Sequence, residues 1–385
     1  MINIVYISRN LIFVFVLGVF ISASKINAQV ARVDLNLSEN AILFKVSEPL
    51  NLWLDFLKSE NAKQASKYWN KKEVAQYSDS TYFQMMDSYY FEEGNLIKTL
   101  NRGTTVLSIT QIDSLYKITS MYRVEIDDSL SATPFIFNIY AGIERESGKL
   151  KLYNPFPINQ KLLMQEKVFN NVKYIFPKNH QFNRKLARKQ MKIITLVEKE
   201  FHFKLKKPTF IFTNNRSEFY RLLGYEFHFQ EIGADIPFGK AFVSDNYVYS
   251  SGTGEFCPHE LIHLLINPKW TTAHLWFIEG FATYFGGSRG KTLDWHLDNL
   301  KKYYKSHLRE DYTNLLDKKN VDEMTDYRYV VGGLFVKMAY EKGGAELVKK
   351  LMSYEDTDTG FYKAIEIELG IKQENLNQFF LEYFN

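Results

Sequence analysis

The segment Cys257-Pro258-His259-Glu260-Leu261-Ile262-His263-Leu264-Leu265 places two histidines four residues apart, with a glutamate directly after the first. At 3.6 residues per helical turn, His259 and His263 project from one face, one turn apart, so two imidazoles can meet one metal ion. Zinc is the natural occupant of such a pair. Glu260 then stands where it can accept a proton from water activated at the metal. Pro258 suits a first helical turn, where its missing N–H is not needed, and Leu261, Ile262, Leu264 and Leu265 suit a buried helix. A pattern this short also arises by chance, so a third ligand is required.

The segment Leu275-Trp276-Phe277-Ile278-Glu279-Gly280-Phe281-Ala282-Thr283-Tyr284-Phe285 reads as a second buried helix, closed by Gly286-Gly287. Glu279 is its only acid. A carboxylate in so apolar a helix is costly unless its charge is compensated, and coordination to a cation would compensate it. The set expected from the residues is therefore His259, His263 and Glu279 around one zinc per chain. The competing reading pairs Glu279 with a basic side chain and leaves the histidines as core residues. His274, five residues before Glu279, orients a ligand, lines the site, or serves packing or the surface.

These two segments resemble the gluzincin metallopeptidases, which include thermolysin-like and aminopeptidase N-like enzymes, and most closely their peptidase MA-like members. The resemblance rests on His259-Glu260-Leu261-Ile262-His263 and Trp276-Phe277-Ile278-Glu279-Gly280-Phe281-Ala282, and it covers about the last 200 residues. It implies a zincin-like fold, zinc ligands at His259, His263 and Glu279, and a general base at Glu260. It also implies an edge strand before the first zinc helix, expected at Tyr247 to Ser250, along which an extended substrate adds as a further strand. Tyr329-Val330-Val331-Gly332-Gly333-Leu334-Phe335-Val336 is similar to the helix that aminopeptidase N-like enzymes place over the zinc, with Tyr329 at the position of a phenol that donates to the oxyanion. Tyr327 and His307 are the alternatives for that role. Two departures stand out. Only 15 residues separate His263 from Glu279, and Phe238-Gly239-Lys240-Ala241-Phe242-Val243 lacks the glutamate with which aminopeptidase N-like enzymes hold a free amine.

The elements that must position these residues follow from periodicity. Leu50, Trp53, Leu54, Phe56 and Leu57 predict one amphipathic helix from about Pro49 to Lys71, after a β-prone start at Ala41 to Val46. Thr105 to Thr110, Leu115 to Ile126, Pro134 to Glu144 and Lys149 to Tyr153 predict strands, with turn-formers at Asp127-Asp128 and Ser147-Gly148. A helix on an antiparallel sheet follows, an α+β unit of cystatin-like or nuclear-transport-factor-like form. Beyond Asn154-Pro155-Phe156-Pro157 the chain predicts a helix through Arg184 to Val197, a strand at Thr209 to Thr213, a helix at Arg216 to Leu223, and strands at Phe238 to Val243 and Tyr247 to Ser250. The fold class is α+β, with residues 1–28 as a signal peptide, 29–165 as an N-terminal α+β domain and 166–385 as the zincin-like domain. The basic residues along Arg184 to Lys192 read as a solvated helix face.

Composition bounds the rest. The chain has 385 residues, 48 Lys+Arg against 44 Asp+Glu, and 16% aromatics. The near-balanced charge gives no case for nucleic acid, and the single Cys257 excludes an intramolecular disulfide. Arg9, the uncharged apolar run from Leu11 to Ile21 and Ile26-Asn27-Ala28 read as a secretory signal, cut after Ala28 or after Ser24. The run is too short to span a bilayer, so the mature chain is expected to work outside the cytoplasm without a membrane span. The expectation is a secreted or periplasmic zinc-dependent peptidase acting on peptide or protein substrates. A peptide-binding module with a structural zinc site is the alternative, and the N-terminal unit is open to a role as an inhibitory pro-segment.

Overall fold

The computed structural model describes residues 34–35, 46–59, 64, 66–77, 104–125, 130–229, 236–307 and 310–385. The signal segment at 1–28, most of the β-prone start at Ala41 to Val46 and the Asp127-Asp128 turn lie outside them. The chain divides into two compact units, one of residues 1–71 with 88–153 and the other of residues 72–87 with 154–385. Both are mixtures of α and β.

In the first unit, strand β1 (Asp34–Leu35) lies parallel to β2 (Thr104–Ile112), and β2, β3 (Leu115–Glu125), β4 (Ser131–Ile143) and β5 (Leu150–Tyr153) follow as antiparallel neighbours. Helix α1 (Ser47–Leu57) packs on this sheet through the fully buried Trp53, whose Nε1 donates to Ser120 Oγ at 3.1 Å. The helix stops far short of Lys71, because its apolar recurrence ends at Leu57. A separate helix α2 (Lys71–Tyr77) follows a 3-10 turn at Ser66–Tyr68.

Nearly all of α2 belongs to the second unit, which resumes with α3 (Pro155–Leu163), capped by Asn154, whose side chain accepts from Phe156 N. The hairpin β6 (Met164–Phe169) and β7 (Val172–Pro177) comes next, so a boundary drawn at residue 166 would cut through a paired strand. Helix α4 (Arg184–Phe201) buries Ala187, Gln190, Ile194, Val197 and Phe201 along one stripe and leaves its Arg and Lys residues outside. Strand β8 (Thr209–Thr213), helix α5 (Arg216–Leu222) and strands β9 (Tyr225–His228), β10 (Phe238–Phe242) and β11 (Tyr247–Ser251) follow. One mixed sheet has the order β10-β11-β8-β7-β6. The stretch Tyr247–Ser251 therefore lies inside the sheet, parallel to β8, and the outer strand is β10, antiparallel to β11. Pairing with the non-local β8 corrects the expected edge.

Helices α6 (Pro258–Ile266), α7 (Leu275–Gly286), α8 (Leu293–Ser306) and α9 (Tyr327–Leu351) build the remaining core, with α10 (Asp358–Ala364) and α11 (Leu376–Phe384) closing it. Leu261, Ile262, Phe277, Phe281, Val330 and Leu334 are essentially inaccessible to water, and each such side chain contributes about 1.5–3 kcal/mol through burial. Helices α7 and α9 meet at glycines. A Cβ on Gly280 would collide with the Gly332 carbonyl, and one on Gly332 with the Trp276 carbonyl. This backbone approach sets Glu279, beside Gly280, close to Tyr329, one turn before Gly332 and Gly333.

Candidate metal centre

Helix α6 begins with Pro258 at its first turn, and all nine of its residues are buried. Its start is held from α4, where buried Gln190 Oε1 accepts from Cys257 N at 2.6 Å. Burial pushes the Cys257 thiol well up, so it stays a protonated, inert thiol. Helix α7 runs beside α6, and a Cβ at Gly286 would stand 2.6 Å from His259 N, so the end of α7 lies directly on the start of α6.

His259 Nε2 lies 3.2 Å from Glu279 Oε2 and 3.2 Å from His263 Nε2, and His263 Nε2 lies 3.4 Å from the same carboxylate oxygen. Ligands 2.0–2.1 Å from a tetrahedral zinc lie about 3.3 Å from one another, so these three atoms have the spacing of three corners of a zinc site. The far nitrogens are held as well. His259 Nδ1 lies 2.7 Å from Gly287 O, a group that can only accept, so this nitrogen carries the proton and Nε2 presents its lone pair. His263 Nδ1 faces Asn267 Oδ1 at 3.2 Å, which favours the same tautomer. Gly287 makes its contact possible by turning the chain at φ 78°, a conformation that a Cβ would strain.

Two lone pairs and a carboxylate this close repel unless a cation or proton sits among them. Burial works against charging His263, but the hydrogen bond and charge of Glu279 outweigh it and raise its pKa to about 9. Burial likewise opposes ionisation of Glu279, yet its contacts with His259 and His263 hold the carboxyl far below its ordinary range. A divalent cation would satisfy the same charge. Among the described residues, Glu279 pairs with the two histidines and with no Lys or Arg.

Glu260 and His259 line a cavity of about 360 Å³ together with Tyr329 and with Phe238 and Gly239 of the outer strand β10. A Cβ at position 239 would stand 2.5 Å from Glu260 Cγ, so only glycine lets the strand pass this close. The Tyr329 ring lies 5.7 Å from that of His259, nearly parallel to it. Burial, with the charges of Glu279 and Glu260, pushes the Tyr329 phenol up, so it remains a proton donor.

The alternatives lie elsewhere. Tyr327 is buried against Tyr303 and Tyr312, with ring centres 6.3 Å away, and His307 stacks on Tyr303 at 4.0 Å. Neither lines the cavity. His274 caps α7, accepting from Trp276 N, and lies 3.8 Å from Asp358 and against Phe361. Sequence reasoning passed over Gln190, Asn267 and the Gly287 carbonyl. Asn267 left a signal, because it follows His263 by one helical turn.

No protein-family model matches the chain, and no curated protein does. Among solved structures it is similar to an M1 zinc metallopeptidase from Deinococcus radiodurans, with 13% identity and a TM-score of 0.31 for a point mutant and 11% and 0.29 for another structure of the enzyme. It is also similar to a two-domain M1 zinc metallopeptidase mutant bound to L-arginine, with 12% identity and a TM-score of 0.32. The matches cover 72% of this chain, which spans 61–62% of the length of those proteins. Likeness at this level does not establish a shared fold.

Proposed function

We propose that this chain is a zinc-dependent peptidase of gluzincin type with a zincin-like second unit, acting outside the cytoplasm. The observation that carries the proposal is the convergence of His259 Nε2, His263 Nε2 and Glu279 Oε2 at zinc-ligand spacing, with Glu260 in the adjoining cavity. The apolar leader at residues 11–21 supports the location, and among the described residues no helix is long and apolar enough to cross a membrane.

Bound zinc supplies Lewis-acid chemistry, lowering the pKa of water toward about 7 and polarising a carbonyl. The protein does the remainder. Strand β10 offers its outer edge to an extended peptide, which would bring the scissile carbonyl past Gly239 and over Glu260. Glu260 takes the proton from the attacking water and returns it to the leaving amine. The Tyr329 phenol donates a hydrogen bond to the developing oxyanion. Asn267 and the Gly287 carbonyl keep both imidazoles in the tautomer that presents Nε2.

The test is metal content and peptide hydrolysis by wild type and Glu260→Gln. The variant should keep one zinc per chain while hydrolysis falls by about 10²–10⁴. Near-normal turnover in Glu260→Gln would end the mechanism, and zinc without any turnover in wild type would favour a binding module.

A further inference from the structure

The turn between α7 and α8 carries positive charge into the cavity. Ser288 and Lys291 pair across it, each N–H donating to the other's carbonyl at 2.8 Å. The two residues between them, Arg289 and Gly290, both have positive φ, 47° and 75°. This mirror-image turn favours Asn, Asp or Gly at its first central position, because other side chains are strained there. An arginine in that place costs on the order of 1 kcal/mol, and such strain concentrates where the direction of a side chain serves function. The turn is also firmly held. His296 Nε2 donates to Ser288 O at 3.0 Å, and the neighbouring Gly287 O accepts from the metal-centre residue His259. The Arg289 guanidinium is steered by one donation to the Glu323 carbonyl, which leaves its other N–H groups available.

Three cations line the cavity, Arg289, Lys291 and Lys189, against a single lining acid, Glu260. Among the described residues none of the three forms an ion pair with a carboxylate, although the Arg289 charge acts on the nearby Asp326 carboxyl. Instead the Lys189 ammonium lies 4.5 Å from the centre of the Phe256 ring and the Lys291 ammonium 5.3 Å from that of Trp295. A cleft with unpaired cations and one acid disfavours a substrate amine and favours an anion.

We propose that the cleft selects substrates that carry a carboxylate near the scissile bond, with Arg289 receiving it and Lys291 and Lys189 supplying the surrounding positive field. The inference rests on the peptidase reading for its substrate class. A guanidinium presents parallel N–H groups that match a carboxylate, which a neutral amide cannot replace. The carboxylate comes from an acidic side chain or from the free C-terminus of a peptide.

The test uses the zinc-loaded full chain and internally quenched peptides of one sequence, with Glu or Gln scanned through the positions and the C-terminus free or amidated. It reads kcat/KM, and also the Kd of the same peptides for zinc-loaded Glu260→Gln. Wild type should prefer the carboxylate form by about tenfold or more in both readouts, and the preference should collapse to about twofold in Arg289→Gln and persist in part in Arg289→Lys. Raising the salt from about 50 mM to about 500 mM should shrink it in wild type. Preference for Glu over Gln assigns the side chain, and preference for free over amidated termini assigns the terminal carboxylate. Equal use of all forms by wild type, or a preference that survives intact in Arg289→Gln or in high salt, would overturn the proposal. If no peptide is cut while the Kd preference stands, the peptidase reading fails and the carboxylate site remains.

Discussion

Two regions of the second unit bury histidines on either side of the turn at 288–291, and they use them in opposite ways. On α8, His296 spends both ring nitrogens on the protein, Nδ1 on Thr325 Oγ1 and Nε2 on Ser288 O, each at 3.0 Å. On α6, His259 and His263 spend only Nδ1 on the protein and turn Nε2 toward each other and toward Glu279. Burial is similar in the two places, so burial does not distinguish a structural histidine from one proposed as a ligand. The distinction is whether the second nitrogen has a protein partner that satisfies it, because a buried polar atom left unsatisfied costs about 1–3 kcal/mol.

The two tyrosines differ in place, with Tyr329 lining the cavity and Tyr327 outside it. Tyr329→Phe should lower kcat by about 10²–10³ with little change in KM, since the lost donor acts mainly in the transition state. Tyr327→Phe should stay within a few-fold, because its phenol lies among Tyr303 and Tyr312. Reversal of these two results would move the oxyanion donor to the other region.

A smaller effect concerns the spacing of the two helices. Gly280→Ala should force α7 from α9 at the Gly332 contact and cost about 1–3 kcal/mol of stability. It should reduce turnover as well, by shifting Glu279 against Tyr329. An unchanged melting temperature would show that the glycine contact is not tight.

The smallest effect is on pH dependence. Burial depresses the pKa of His296 in the folded state, outweighing its hydrogen bond to Ser288. The unfolded chain therefore takes up this proton first as pH falls, so the contribution is full above the ordinary imidazole pKa of about 6.5 and declines below it. The drop in melting temperature between about pH 7.5 and 5.5 should be smaller in His296→Gln than in wild type. Equal drops would mean that His296 is not held neutral.

The candidate site rests on local rules that can be read from the sequence. Four-residue spacing puts two histidines on one helix face, and a lone acid in an apolar helix demands a partner. Asn267 obeys the same helical rule, although the sequence reading passed over it. The Gly287 carbonyl was not legible, since any residue supplies a carbonyl and only the path of the chain aims it. The outer strand was misassigned for a related reason. Tyr247–Ser251 and Phe238–Phe242 are both β-prone, and only pairing with the distant β8 decides which lies inside. The long helix expected to reach Lys71 failed where its apolar period ended at Leu57. Gly280 and Gly332 stood in the sequence, but their contact exists only once two helices cross.

In the proposed site, His259, His263 and Glu279 hold one zinc. X-ray absorption at the zinc edge of the purified mature protein tests it directly. The spectrum should show one zinc per chain with two imidazole nitrogens and carboxylate oxygen at about 2.0–2.2 Å, and His263→Ala should lose the metal. A sulfur scatterer at about 2.3 Å, which Cys257 alone could provide in this segment, or stoichiometric zinc persisting in His263→Ala, would contradict it.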